Sequence, residues 1–202
     1  VIYLASRSPQ RAMLLARAHV DATVVPSSCR EDDIRHAQPQ VLALERARAK
    51  AAGAQLTPAQ LALCPVVIGA DTVVALGNLI LGTPTDRADA KRILAQLSGT
   101  THAVVTGHAC AVFAPDGSVQ TQAARLATAR VTMRPLTEEE IDAYVNSGES
   151  DGRAGAYAIQ EHGDRFVTEL EGSWDTVVGL NLAIVARLYR ECTDHPLPGY
   201  TP

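Results

Sequence analysis

The 202-residue chain carries 18 basic against 22 acidic residues, a formal charge of −4, and is 47% hydrophobic and 20% charged. A chain of this length buries roughly 70% of the surface its unfolded form exposes, and the composition excludes disordered, collagenous and coiled-coil classes. The negative balance argues against gripping a nucleic-acid polymer, which needs many counterion-releasing phosphate contacts, while leaving room for a small anionic ligand.

Residues 1–5 read as a buried strand, and SRSPQRAMLLARA as a turn into a helix with Ser8 at the N-cap and Pro9 at the first helical position. Residues 20–25 form a second short strand, 29–39 a polar loop, and 41–52 an alanine-rich helix carrying Arg46, Arg48 and Lys50. VVIGADTVVAL after Pro65 reads as a strand buried on both faces and interrupted at Gly69 and Asp71, followed by a turn at Asn78 into LILGTP. A helix is expected over 86–97, ended by Ser98 and Gly99, then strands over 102–113 and 118–133 about a Pro115-Asp116-Gly117 turn. Thr137 to Glu140 is a capping box opening a helix to about Asn146. Residues 156–160 and 166–170 read as strands and 180–189 as a closing helix. The element order gives an α/β fold with an elongated mixed sheet, and the length fits one large domain or two small lobes.

The N-terminal stretch turns polar at Ser6 before a signal-peptide core forms, and no apolar run approaches the about 18 residues needed to span a bilayer. Cys29, Cys64, Cys110 and Cys192 have no paired spacing and no metal-binding register, so reduced thiols in a cytoplasmic protein without membrane contact are expected. GxGxxG, P-loop and GxSxG motifs are absent, which weakens dinucleotide, P-loop and acyl-enzyme readings.

The chemistry concentrates in a few places. SRSPQR delivers hydroxyls and then a helix N-terminus, where unpaired N–H groups and the dipole favour an anion, and Arg11 adds a fork for phosphate oxygens. The alternative is that Ser8 and Pro9 merely cap the helix and Arg11 is solvated. Asp71 within an apolar strand is costly unless paired or facing a metal, which makes it a candidate metal ligand or general base. Alternatively the strand ends at Ala70 and Asp71 turns the chain. Thr72 beside it can hydrogen-bond a ligand. Glu31, Asp32 and Asp33 are either carboxylates for a divalent cation or a solvated turn. Arg153 and Gln160 suit an anion and a base edge, although their spacing alone does not single them out. His102 and His108 read as ordinary polar positions, and Trp174 as a core or rim residue.

Taken in order, LASRSPQR, Glu31, LALERA, IGADTVV, LILGTP, LSG, THAVVTG, LTEEEIDAYVNSGE, GRAGAYAIQ and EGSWDTVVGLNL resemble the Maf family, also called septum-formation-inhibitor proteins, over nearly the whole chain. The resemblance implies a single domain over 1–202 with helices flanking the mixed sheet, in two lobes with a cleft between them. The implied activity is that of a nucleoside triphosphate pyrophosphatase, cleaving between the α and β phosphates with a divalent cation, Mg²⁺ or Mn²⁺. DTVV and AGAYAIQ look like the branch acting on dTTP and UTP, a nucleotide-pool housecleaning role, and a homodimer is compatible with the family. Carried over by position, Asp71 is the proton acceptor, Thr72 and Gln160 select the base, Ser6, Ser8 and Arg11 form the phosphate loop, and Glu31 joins Asp71 as a metal ligand.

The chain departs from the family at several positions. Gln10 replaces an arginine of SPRR, Arg46 a lysine, Thr83 a lysine before proline, Arg153 the lysine of DKAG, and Asn181 a proline. Gln10, Arg46 and Arg153 remain in the expected substrate-binding set. A cation at such a site contributes on the order of a few kcal/mol to a charged transition state, so Gln10 and Thr83 imply reduced turnover or a shifted substrate preference. This leaves a second reading, a catalytically weakened nucleotide-binding regulator of cell division. A sugar-phosphate enzyme is a third.

Overall fold

The computed structural model describes residues 2–160 and 162–201. The chain opens with β1 (Ile2–Ala5), every residue of it buried, as expected of a strand covered on both faces; Val1, where that strand was expected to start, lies outside the described residues. Then come α1 (Pro9–Arg17), β2 (Ala22–Val24), a 3₁₀ turn at Glu31–Asp33, α2 (Pro39–Ala52), α3 (Pro58–Leu61), β3 (Val66–Leu76) and β4 (Leu79–Leu81). The second half holds α4 (Arg87–Leu97), β5 (Thr101–Phe113), β6 (Val119–Met133), α5 (Glu138–Ser147), β7 (Val167–Glu171), α6 (Trp174–Val178) and α7 (Leu182–Thr193).

Local chemistry sets many of these boundaries. Asp86 caps α4 by accepting from Asp89 N at 2.8 Å, and Thr137 and Glu140 close a reciprocal capping box at α5. Gly148, with φ 84°, ends α5 in the left-handed region where a Cβ is penalised.

Some expectations are corrected. Ser8 occupies the N-cap position of α1, but its side chain makes no capping bond and faces Gln10 instead. Residues 156–160 are not a strand: a 3₁₀ turn at Ala154–Ala156, with Gly155 and Ala156 at φ 75° and 60°, leads into an irregular buried segment. Its apolar run reflects packing against α4 and α5, and Tyr157 Oη reaches His102 Nε2 at 2.9 Å while Ala158 N donates to Tyr144 Oη at 3.0 Å. An apolar run reports burial and does not choose between strand and irregular backbone. The closing helix starts at Leu182 rather than 180 because Asn181 is its N-cap, and α3 and α6 are too short to leave a periodic signal.

The seven strands of the described residues form one mixed sheet in the order β2-β1-β3-β5-β6-β7, with β4 against β3. β1 runs parallel to β2 and β3, and the other pairs are antiparallel. β3 is uninterrupted through Asp71, which removes the alternative that the strand ends at Ala70. On the edge facing β1, the last pair is Ala5 with Gly69, and the first pair with β4 is Val74 with Leu81. Between them residues 70–73 pair with β5 alone among the described strands. A crevice opens at that gap, as ligand sites do where neighbouring strands part at the end of a parallel pair.

Helices cover both faces. α1 and α7 pack with β1 and the first half of β3, while α4 and α5 bury a second cluster around Val74, Leu81 and Tyr157. α2 lies on the opposite face from α1, and two glycines let it approach. A Cβ on Gly107 would stand 2.2 Å from the Ala43 carbonyl oxygen, and one on Gly69 2.5 Å from that of Ala47. Both distances are far inside contact, so glycine there brings α2 down onto the strands that carry Asp71.

Candidate active site

The crevice widens into a cleft of about 980 Å³. Ser6 and Ser8 enter it from the turn after β1, Gln10 and Arg11 from the first turn of α1, Glu31 from the 3₁₀ turn, Arg46 and Lys50 from α2, and Asp71 and Thr72 from β3. Arg153 and Gln160 enter from the segment after α5, so the structure brings every sequence-predicted site residue to one cavity.

Asp71 lies on the β3 face that meets α2. Lys50 Nζ sits 2.6 Å from Asp71 Oδ1 and 3.0 Å from Glu31 Oε1, and Arg46 Nη1 is 4.0 Å from Asp71 Oδ2. Burial raises the proton affinity of Glu31, but the Lys50 ammonium and its hydrogen bond, with Arg46 behind them, outweigh that and hold the carboxyl below its usual range. Arg46 Nη2 also donates to the Ile34 carbonyl at 3.2 Å, tying the Glu31 turn to α2. Asp71 Oδ2 and Arg46 Nε are buried without a hydrogen-bond partner among the described residues. Buried carboxylate oxygens are seldom left so, and an oxygen in this state is poised for a water or a cation. Lys50 was missing from the sequence-predicted set, although its spacing from Arg46 places both on one helix face.

Thr72 points to the other face of β3. Arg11, 8% exposed, donates through Nε to the Gly179 carbonyl at 2.8 Å, Nη1 to Ser6 Oγ at 3.0 Å, and Nη2 to Thr72 Oγ1 at 3.1 Å. Desolvation lowers the proton affinity of the guanidinium, and Asp71 and Glu31 partly restore it. Arg11 therefore ties the serine turn, β3 and the end of α6 together, a framing role beyond the phosphate fork read from sequence. Thr106 Oγ1 donates to the Thr176 carbonyl at 2.8 Å and lies 3.0 Å from Thr72 Oγ1. Its single proton is used on the carbonyl, so Thr72 is the donor between them. Thr106 lies in THAVVTG, but that motif names no partner for it; Thr72 follows only from the β3–β5 register.

Gln10 and Arg153 meet side chain to side chain, and Gln160 Nε2 is buried without a hydrogen-bond partner among the described residues. Arg7 and Thr83 also line the cleft, whereas Lys91 pairs with Asp142 at 2.6 Å on α4 and α5. The acidic triplet divides: Glu31 faces the cleft, and Asp33 pairs with Arg30 at 3.3 Å on the surface. His108 Nε2 accepts from Asn181 N at 2.8 Å, and Trp174 packs between the two main apolar clusters rather than lining the cleft. Among the described residues, no group of three or more His, Cys, Asp or Glu gathers to hold a metal, and no helix is long and apolar enough to cross a membrane.

A sheet that opens beside a paired carboxylate, with serines, arginines and a lysine around the opening, describes a cleft for a phosphorylated small molecule. The chain matches the family described as Maf-like protein over residues 1–192, and it belongs to that family. It is 46% identical over 191 residues to the dTTP/UTP pyrophosphatase of Moorella thermoacetica, covering 93% of this chain and 92% of the relative. The corresponding proteins of Methylobacillus flagellatus and Aquifex aeolicus, under the same name, are 42% and 37% identical, over 95% and 94% of this chain and 92% and 94% of their own.

Proposed function

We propose that this protein hydrolyses dTTP and UTP, or modified pyrimidine nucleoside triphosphates, to the monophosphate and pyrophosphate, as a cytoplasmic housecleaning enzyme of the free nucleotide pool. The observation that carries the reading is the buried Asp71 Oδ2, which has no hydrogen-bond partner among the described residues, in a cleft shared with the Ser6–Arg11 segment. Asp71 orients a water and takes its proton during attack at the α phosphorus. Lys50 holds Oδ1, so Oδ2 is the oxygen left for a water or a cation. Lys50 and Arg46 offset the charge that builds on the phosphoryl oxygens.

Asp71 and Glu31 fit a divalent cation, since Mg²⁺ is usually held by one or two carboxylates together with substrate phosphates and water. They are the residues that would hold it, and when bound it polarises the phosphate and neutralises charge on the leaving group. Gln160 Nε2, a buried donor with no hydrogen-bond partner among the described residues, suits a carbonyl oxygen of thymine or uracil. The whole chain acts as one domain in this reading, and a homodimer is compatible with it.

The neutral side chains of Gln10 and Thr83 in the cleft favour a second reading, a nucleotide-binding regulator of cell division with weakened catalysis. One experiment separates the two: purified protein with Mg²⁺ or Mn²⁺ and a panel of dTTP, UTP, CTP, GTP and ATP, followed by phosphorus NMR. Release of pyrophosphate from dTTP and UTP is the expected result. Nucleotide binding without turnover across the panel supports the regulator, and orthophosphate as product overturns both.

A further inference from the structure

Gln10 stands at the start of α1, whose core contacts belong to the cluster with α7, and Arg153 precedes Ala154, which packs into the cluster with α4 and α5. The contact between them therefore joins the two walls of the cleft. A guanidinium carries only donors, so the Gln10 amide oxygen faces it. In that orientation Oε1 accepts from Arg153 Nη1 at 2.8 Å and Nη2 at 3.1 Å, while Nε2 donates to Ser8 Oγ at 3.1 Å. This has two chemical consequences. Ser8 receives a hydrogen bond from the amide, so its own hydroxyl proton is left for a different acceptor, such as a bound anion. The amide also fixes the guanidinium without neutralising it, which a carboxylate at position 10 would do.

We propose that Gln10 is a positioning residue that holds Arg153 across the cleft, and that Arg153 and Ser8 form the subsite for the terminal phosphates of the triphosphate. Those phosphates become the pyrophosphate leaving group. The cation absent from position 10 is thus supplied from the opposite wall. The assignment of these phosphates to a nucleotide rests on the function proposed above, but the anion subsite itself does not. Both side chains are half-buried, so substitution there leaves the core intact.

The test is calorimetric titration of inorganic tripolyphosphate into the parent protein, Gln10→Ala, Arg153→Gln, the double variant and Gln10→Glu, with melting temperatures recorded alongside. Arg153→Gln is expected to weaken binding roughly tenfold to a hundredfold, as loss of a charge-assisted hydrogen bond does, and Gln10→Ala by about threefold to tenfold. The double variant should lose less than the two single losses together, because Gln10 acts largely through Arg153 and otherwise only through Ser8. Gln10→Glu should keep or strengthen the contact across the cleft, and hold the melting temperature, yet weaken tripolyphosphate binding more than Gln10→Ala; a merely structural strap would not do this.

An Arg153→Gln or Gln10→Glu variant that binds as the parent does overturns the proposal. So does a Gln10→Ala effect of the same size in both backgrounds. dTTP turnover by the parent is measured in parallel. A parent that binds tripolyphosphate through Arg153 but leaves dTTP intact overturns the proposed function and supports the subsite; one that hydrolyses dTTP with Arg153 indifferent does the reverse.

Discussion

Lys50 Nζ lies 2.6 Å from Asp71 Oδ1, with Lys50 8% and Asp71 4% exposed. Such a pair is held by mutual need: each charge is desolvated and each compensates the other. Removing one partner leaves a buried charge, which costs about 3–5 kcal/mol. Lys50→Met is therefore expected to lower stability by about that amount, and to lower kcat, since Asp71 Oδ1 loses the ammonium that positions the carboxylate. Denaturant unfolding and dTTP turnover at a temperature where the variant is folded check both parts. A folded variant with the parent's kcat would show that Lys50 does not position Asp71.

Asp71→Asn tests the reactive group itself. The amide keeps an oxygen for Lys50, and Glu31 still faces that ammonium at 3.0 Å, so the fold should persist with little change in melting temperature. It cannot take a proton from water, and kcat should fall roughly a hundredfold to ten-thousandfold, the range lost with a general base. Pyrophosphate release at the parent rate would remove Asp71 from the chemistry.

Gly107→Ala and Gly69→Ala probe how α2 reaches the site. Each new Cβ meets backbone oxygen at 2.2 Å or 2.5 Å, so the helix must lift. Overpacking of this kind costs about 1–3 kcal/mol. Because α2 carries Arg46 and Lys50, activity should fall further than stability alone explains at a temperature where the variants remain folded. Full turnover by the folded variants would disconnect the approach of α2 from catalysis.

His102 and His108 predict an acid-sensitive fold. Burial lowers both from 6.5 to about 4, with Arg11 adding to the effect at His108. Below pH 6.5 the unfolded chain binds protons that the folded one refuses, so stability present above that pH is lost as the pH falls towards 4. Each histidine should withdraw roughly 2 kcal/mol between pH 7 and pH 5. Urea unfolding at the two pH values measures it, and replacing either histidine with glutamine should flatten that part of the dependence. An unchanged slope in His102→Gln would show that this imidazole does not stay neutral in the fold.

Much of the candidate site was legible as residues and much less as contacts. The serine turn and Asp71 stand out by their chemistry, Thr72, Arg153 and Gln160 only through the family resemblance, and the structure places all of them around one cleft. Lys50 did not stand out, because a lysine on an alanine-rich helix reads as solvated until its helix is seen lying on β3. Thr106 lies in THAVVTG, but its role depends on pairing opposite Thr72, which the motif does not state. The 156–160 segment was misread because burial, not strand pairing, made it apolar.

The sequence by itself determined the local structure: Pro9 at the start of α1, Asp86 and the Thr137–Glu140 box at helix starts, Gly148 at a helix end, and the long hairpin of β5 and β6. These depend on backbone preferences and hydrogen bonds within a few residues, which neighbouring side chains suffice to specify. Only the tertiary structure decided that Lys50 joins Asp71 to Glu31, that Arg11 spends its donors on Ser6, Thr72 and Gly179, and that Gln10 meets Arg153 across the cleft. Those contacts depend on strand order, on the gap between β1 and β4, and on how closely a helix can settle over a glycine. These are properties of residues far apart in the chain, and they come into being when the layers pack.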